Sequence, residues 1–221
     1  MLRLLLPICF LLLANCDKKE VLLPVIPVDG IDQIENHSSL WVFYKISGPD
    51  TLAVLNKNNK LINTNWIFNV DRRLRMKDVI PHLQAMQENR NKDSMHKKEG
   101  MKNFFSYADS KNNRLSLVDF PQLEFVPIPE SMVKGPVASD SICVIDITIL
   151  DEKFQVDDTS FPFDQVDQIT EKLSACDSTR QGFVRLKYSA NLTFQNYLAA
   201  RAHLASENLP VDQKELIHNL K

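Results

Sequence analysis

Five glycines in 221 residues, at Gly30, Gly48, Gly100, Gly135 and Gly182, are the strongest constraint on what this chain can fold into. The closest two stand 18 positions apart. A loop that wraps a phosphate needs several glycines within about eight residues, because a Cβ would hold the backbone away from the anion. Dinucleotide-binding and phosphate-loop folds are therefore excluded. Composition excludes more: 44% hydrophobic and 24% charged residues describe a folding chain, neither disordered nor collagen-like. Lys and Arg total 26 against 28 Asp and Glu, and a net charge of -2 supplies no drive toward nucleic acid.

Residues 1–16 read MLRLLLPICFLLLANC. Arg3 precedes an apolar run over 4–13 that is too short to span a bilayer, which takes about 20 residues, but suits a secretory signal. Its end, Leu13-Ala14-Asn15-Cys16, resembles the lipobox of bacterial lipoproteins, although Asn15 stands where that family usually carries Gly, Ala or Ser. The resemblance implies cleavage before Cys16, thioether attachment of diacylglycerol to its sulfur and acylation of the new amine. Several acyl chains anchor stably where a single one binds marginally. The chain is expected to be periplasm-facing in a bacterial cell envelope. Asp17 resembles an inner-membrane retention signal of some bacteria, and the choice between inner and outer membrane stays open.

Residues 16–36, with two prolines in VLLPVIPVDG, read as anchor and extended tether. Removal of Cys9 and lipidation of Cys16 leave Cys143 and Cys176. The expected strand–hairpin–helix order puts these at opposite ends of a unit, about 20 Å apart at about 3.3 Å per strand residue. A disulfide needs Cα atoms within about 7 Å, so two separate buried thiols are expected.

Periodicity predicts an α+β chain of small antiparallel or mixed sheets with helices on one face. In a first unit, 37–126, strands are expected at 40–46, 51–55, 65–70 and 115–120. A helix is expected over 76–87, and a short amphipathic helix on Met101, Phe104, Phe105 and Ala108. A Pro-rich linker covers 127–140. The second unit, 141–221, shows a strand at 142–150 returning as a hairpin at 154–156. A helix through Phe163, Val166, Ile169 and Leu173, a strand at 183–188 and a helix at 193–207 follow. The order is ββαβα, and a divergent copy of it in the first half is one reading.

That order, over 143–150, 154–156, 163–173, 184–188 and 192–203, resembles the periplasmic domain of the ExbD/TolR biopolymer-transport family. The resemblance implies a dimerising or partner-binding module. Members of that family carry a membrane helix with an ionisable Asp. Residues 2–15 contain no acid, so proton coupling is not carried over.

Chemistry-bearing motifs are scarce. The five histidines have no metal-ligand spacing, and the S-x-x-K matches at Ser94 and Ser131 lack any K-T-G or S-D-N partner. Asp109-Ser110-Lys111-Asn112-Asn113 starts like a Ca²⁺ loop but puts a cation in a ligand position, and reads as a turn. No catalytic residue, metal site or cofactor is expected. The sharpest local feature is Arg72, Arg73, Arg75 and Lys77, between a strand and a helix start, where a lipid headgroup, a cell-wall carboxylate or an acidic partner could dock. A solvated basic turn balanced by Asp71 and Asp78 is the competing reading.

The functional expectation is a membrane-anchored lipoprotein that binds or assembles without catalysis, through an envelope protein partner or self-association. The alternative is a ligand- or ion-binding accessory of an envelope transport machine. A hydrolase would need a nucleophile and base brought together by the fold. An open strand edge favours assembly, and a closed polar pocket favours ligand binding.

Overall fold

The computed structural model describes residues 20–220 apart from 57, 59, 92–99, 133–141 and 177–180. The signal segment, Cys16 and much of the 127–140 linker lie outside the described residues. The runs rich in β-branched and aromatic residues form two mixed, six-stranded sheets, and the fold is α+β. The first sheet is built from β1 (Val25–Ile26), β2 (His37–Ser47), β3 (Asp50–Asn56), β4 (Asn65–Val70), β5 (Asn103–Asp109) and β6 (Arg114–Asp119). Helix α1 (Met76–Asn91) links β4 to β5. The second sheet is built from β7 (Glu124–Ile128), β8 (Ile142–Leu150), β9 (Lys153–Val156), β10 (Thr159–Pro162), β11 (Gln181–Ser189) and β12 (Lys214–His218). Helices α2 (Asp167–Ser174) and α3 (Phe194–Ser206) precede and follow β11.

Both halves trace one path. An antiparallel hairpin, β2–β3 or β8–β9, is followed by a strand parallel to its first arm, β4 or β11. A helix then leads to a further parallel strand, β5 or β12. The spatial order β5-β4-β2-β3 in one sheet matches β12-β11-β8-β9 in the other. The two copies meet where their helices begin. Phe194 N–H donates to the Leu74 carbonyl at 2.8 Å and Met76 N–H to that of Leu192 at 2.9 Å. Lys77 N–H donates to Ala190 at 2.8 Å and Gln195 N–H to Arg72 at 3.2 Å. Each matched pair, Leu74 with Leu192, Met76 with Phe194 and Arg72 with Ala190, is 118 positions apart, which is the signature of a local two-fold axis.

Helix α3 lies between the sheets. Helix α3 touches β8 of the second sheet and β1 and β6 of the first, which is why it is buried on nearly all sides, from Phe194 and Tyr197 to Ala200 and Leu204. Thr193 caps it, its hydroxyl accepting from the Asn196 N–H at 3.3 Å. Phe105 of β5 meets Phe194 edge-on at 5.2 Å between ring centroids, inside one hydrophobic core shared by both halves.

Three expectations change. Residues 103–109 are a strand, because Phe104 joins Ile67 and Leu117 on the outer face of the sheet while Phe105 enters the main core. Two adjacent buried phenylalanines on opposite faces follow a period of two, and the helical spacing seen in Met101, Phe104, Phe105 and Ala108 is incidental. The tether is folded from Leu22 onward: β1 pairs with β5, Ile26 is fully buried, and Ile31 bridges Leu117. Gly30 lies so close to this sheet that a Cβ there would stand 2.2 Å from the Tyr107 hydroxyl and 2.8 Å from the Leu117 carbonyl. Finally, β7 crosses the expected boundary at 126/127 and belongs to the second sheet, an edge strand with Pro127 opposite Ile217. Proline is tolerated there because an edge strand need not donate on its outer side.

Candidate functional site

The basic residues sit on the local two-fold axis. Arg73 is held in a fork by Asp71, with Nε 2.9 Å from Oδ1 and Nη2 2.7 Å from Oδ2, and its guanidinium stacks 4.3 Å from the centre of the Tyr44 ring. Burial alone would raise the Asp71 carboxyl. The hydrogen bonds from Arg73 and the Leu22 N–H outweigh it and hold the group below its ordinary value. Arg75 donates Nη1 to the Asn191 carbonyl at 2.8 Å and faces Thr193 as a bridge partner. Arg72 and Lys77 have no side-chain partner among the described residues. Arg72 N–H donates to the Leu22 carbonyl at 2.8 Å, and Val25 exchanges hydrogen bonds with the Gln195 amide at 3.0 and 2.9 Å. The N-terminal segment therefore enters the fold beside the basic loop.

Cys143 and Cys176 form a disulfide, which corrects the expectation of two thiols. Because β8 and β11 are parallel with Cys143 opposite Gly182, the connection between them must return to the start of β8. Helix α2 makes that return, and its end delivers Cys176 with a Cα–Cα distance of 6.1 Å. The 20 Å expectation counted the strand and missed the return of the helix. The bridge borders a cleft of about 530 Å³ between β8, the end of α2 and the β9–β10 turn, which carries Asp157 and Asp158. Asp146 lies within it, 2.8 Å from Arg185 Nε and 2.9 Å from the buried Nζ of Lys187.

A second polar cluster is closed to solvent. Glu215 on β12 accepts from Tyr188 at 2.6 Å and from Tyr197 at 3.2 Å, and pairs with Arg201 of α3. Burial, with the Glu215 charge, pushes both tyrosines well above their ordinary values. Burial alone would lower Arg201, but Tyr197 and Glu215 hold it above its ordinary value. The cluster ties α3 to the second sheet. Sequence reading passed over it because Glu215 and Arg201 are 14 positions apart on different elements. The Asp109 segment is the turn that was expected: its carboxylate accepts from the N–H groups of Lys111 and Asn112 at 2.9 and 3.1 Å. Among the described residues, no three or more His, Cys, Asp or Glu are grouped to hold a metal ion.

The most exposed apolar feature is the β2–β3 hairpin. Ile46, near the end of β2, is 69% exposed, and Leu52 and Val54 are 46% and 42% exposed on β3, the strand that ends the first sheet. All seven residues of β3 pair one to one with β2, without a bulge, around a two-residue turn in which Gly48 takes φ +62°. The strand has no lysine and no proline. Its only hydrogen-bonded cover among the described residues is His82 of α1, whose Nε2 lies 3.0 Å from the Ala53 carbonyl.

Comparisons with protein-family models, with curated proteins and with solved structures find no match for this chain.

Proposed function

We propose that this chain is a lipid-anchored bacterial envelope protein, facing the periplasm, that works by non-catalytic binding or assembly. The observation that carries the reading is the open edge of β3 with its Leu52 and Val54 exposed. Soluble proteins normally protect such an edge, and one left bare invites another strand. Two further features agree. The Cys143–Cys176 disulfide suits an exported protein, since oxidising compartments preserve such bonds. The lipobox-like Cys16 lies six positions before Leu22, a span of at most about 22 Å, so an anchor there would hold the basic loop near the bilayer surface. The path β8-β9-α2-β11-α3 in the second half, with β10 and β12 added to it, supports a module of the ExbD/TolR kind, without its proton-coupling helix.

A second reading, a ligand- or ion-binding accessory of an envelope machine, draws on the charged cleft beside Asp146 and Lys187. Replacing Cys16 with Ser tests the anchor, with release from the membrane fraction expected; retention there overturns it. Crosslinking in intact cells tests assembly. A protein captured through β3 supports the main reading, and specific uptake of a small ligand displaced by Asp146→Ala supports the second.

A further inference from the structure

Topological repetition supplies an internal control for the bare strand. β3 and β9 occupy the same place in the two sheets. In the second sheet a further strand, β10, pairs with β9 and closes that end, with Pro162 at its last position and Asp157-Asp158 in the preceding turn. The other sheet ends are also guarded: β1 is only two residues long, and the Gln195 amide bonds the N–H and carbonyl of Val25. β7 carries Pro127, and β6 is bridged by Ile31 through reciprocal hydrogen bonds of 2.9 Å with Leu117. Among the described sheet ends longer than two residues, only β3 lacks a proline, a following strand or a bridging main chain. What the second copy has and the first lacks is one more strand on this edge.

The residues of β3 suit pairing with themselves. Ser47 and Asp50 flank a two-residue turn and exchange main-chain bonds, so by alternation Thr51, Ala53 and Leu55 direct their N–H and C=O groups away from β2. In an antiparallel pair centred on Ala53, Thr51 faces Leu55 of the second copy, Leu52 faces Val54, and Asp50 faces Asn56. Asp50 is the strand's single charge, and it meets an amide in place of a second carboxylate. Leu52 and Val54 share a face with Phe43, which is in register with Val54, so the pairing extends an apolar surface across the junction. His82 uses one lone pair of the Ala53 carbonyl, and a carbonyl has two.

We infer that β3 pairs antiparallel with β3 of a second copy of this chain, joining the two first sheets edge to edge around Ala53. This rests on the assembly reading and names its partner. The test is a set of single cysteines in the full-length, membrane-anchored protein in intact cells, under mild oxidant. Ala53 meets its own copy at a Cα distance of about 5.5 Å, within disulfide reach. Ala53→Cys is expected to give a disulfide-linked homodimer. Thr51→Cys and Leu55→Cys are each expected to stay uncrosslinked alone and to crosslink when co-expressed. Val54→Lys, at an exposed position that leaves the fold intact, should reduce the Ala53→Cys homodimer at least tenfold. Failure of Ala53→Cys to crosslink in protein that keeps its native Cys143–Cys176 bridge overturns the inference. Capture of a different envelope protein at position 51 or 53 also overturns it but preserves the assembly reading. Capture of nothing at either position overturns both.

Discussion

Arg75 and Thr193 face each other as an antiparallel bridge at the point where the two long helices begin. The bonds on either side of them are main-chain bonds, so the junction between the copies does not depend on which side chains it carries. One copy holds Arg72, Arg75 and Lys77 there, and the other holds Ala190, Thr193 and Gln195. The charge is thus an addition to a geometry that forms without it.

Exchanging those residues for their counterparts, Arg72→Ala with Arg75→Thr and Lys77→Gln, should leave stability within about 1 kcal/mol. On a Cys16→Ser background, protein with the native basic loop is expected to cosediment with phosphatidylglycerol vesicles and the triple variant to lose that cosedimentation. Equal recovery of variant and parent with these vesicles would remove the membrane role of the loop.

The disulfide closes a segment with a sequence separation of 33, and a loop of that length contributes about 3–4 kcal/mol in the chain-entropy account. Cys143→Ser with Cys176→Ser should lower the midpoint of denaturant unfolding accordingly. Mass spectrometry after alkylation of the unreduced protein should find both positions unmodified.

Glu215 is fully buried, and removing it strands the Arg201 charge beneath α3. Glu215→Leu is expected to cost about 3–5 kcal/mol, whereas Glu215→Leu with Arg201→Met should recover most of that, because the paired removal leaves no uncompensated charge. Equal losses in the single and double variants, read from urea unfolding, would show that the ion pair is not the source of the cost.

Three groups contribute to the response to acid: His203, Asp71, and Asp109, whose carboxyl is held below its ordinary value by the hydrogen bond from the Asn112 side chain. Burial holds His203 below its ordinary value of 6.5, so the unfolded chain takes up the proton first. Stability should therefore fall as pH drops below 6.5, until the folded-state group also protonates. His203→Gln should flatten that part of the profile. Asp71 is held below its ordinary value of 3.8, so its contribution is complete above that value and is lost as pH falls through the lowered one. Asp71→Asn should reduce this second, more acidic step in thermal melts recorded across the range, leaving the part that Asp109 contributes.

Local pattern alone predicted most of the regular elements. The strand at Asn65–Val70 and the start of α1 at Met76 are read directly from residues whose spacing names one secondary structure. β5 was misread because Phe104 and Phe105 satisfy a helical spacing until the neighbouring strands show that each faces a different layer. β1 and β12 escaped notice for another reason: two or five residues with little alternation become strands only when a partner supplies the hydrogen bonds. The basic loop was visible as a run of charges, whereas its place beside the entering N-terminal segment was not.

What the sequence by itself determined is local: an α+β chain without a phosphate cradle, an apolar N-terminal run followed by a lipobox-like Cys16, and a cluster of cations before a helix. Those follow from residue type and short-range spacing, which fix what the backbone can do over a few turns or strands. The tertiary structure decided everything that depends on return paths. The parallel β8–β11 pairing brings Cys176 to Cys143, the shared core brings Arg201 to Glu215, and the missing counterpart of β10 leaves β3 open. Contacts between distant segments depend on how the chain doubles back, and no short-range pattern encodes that.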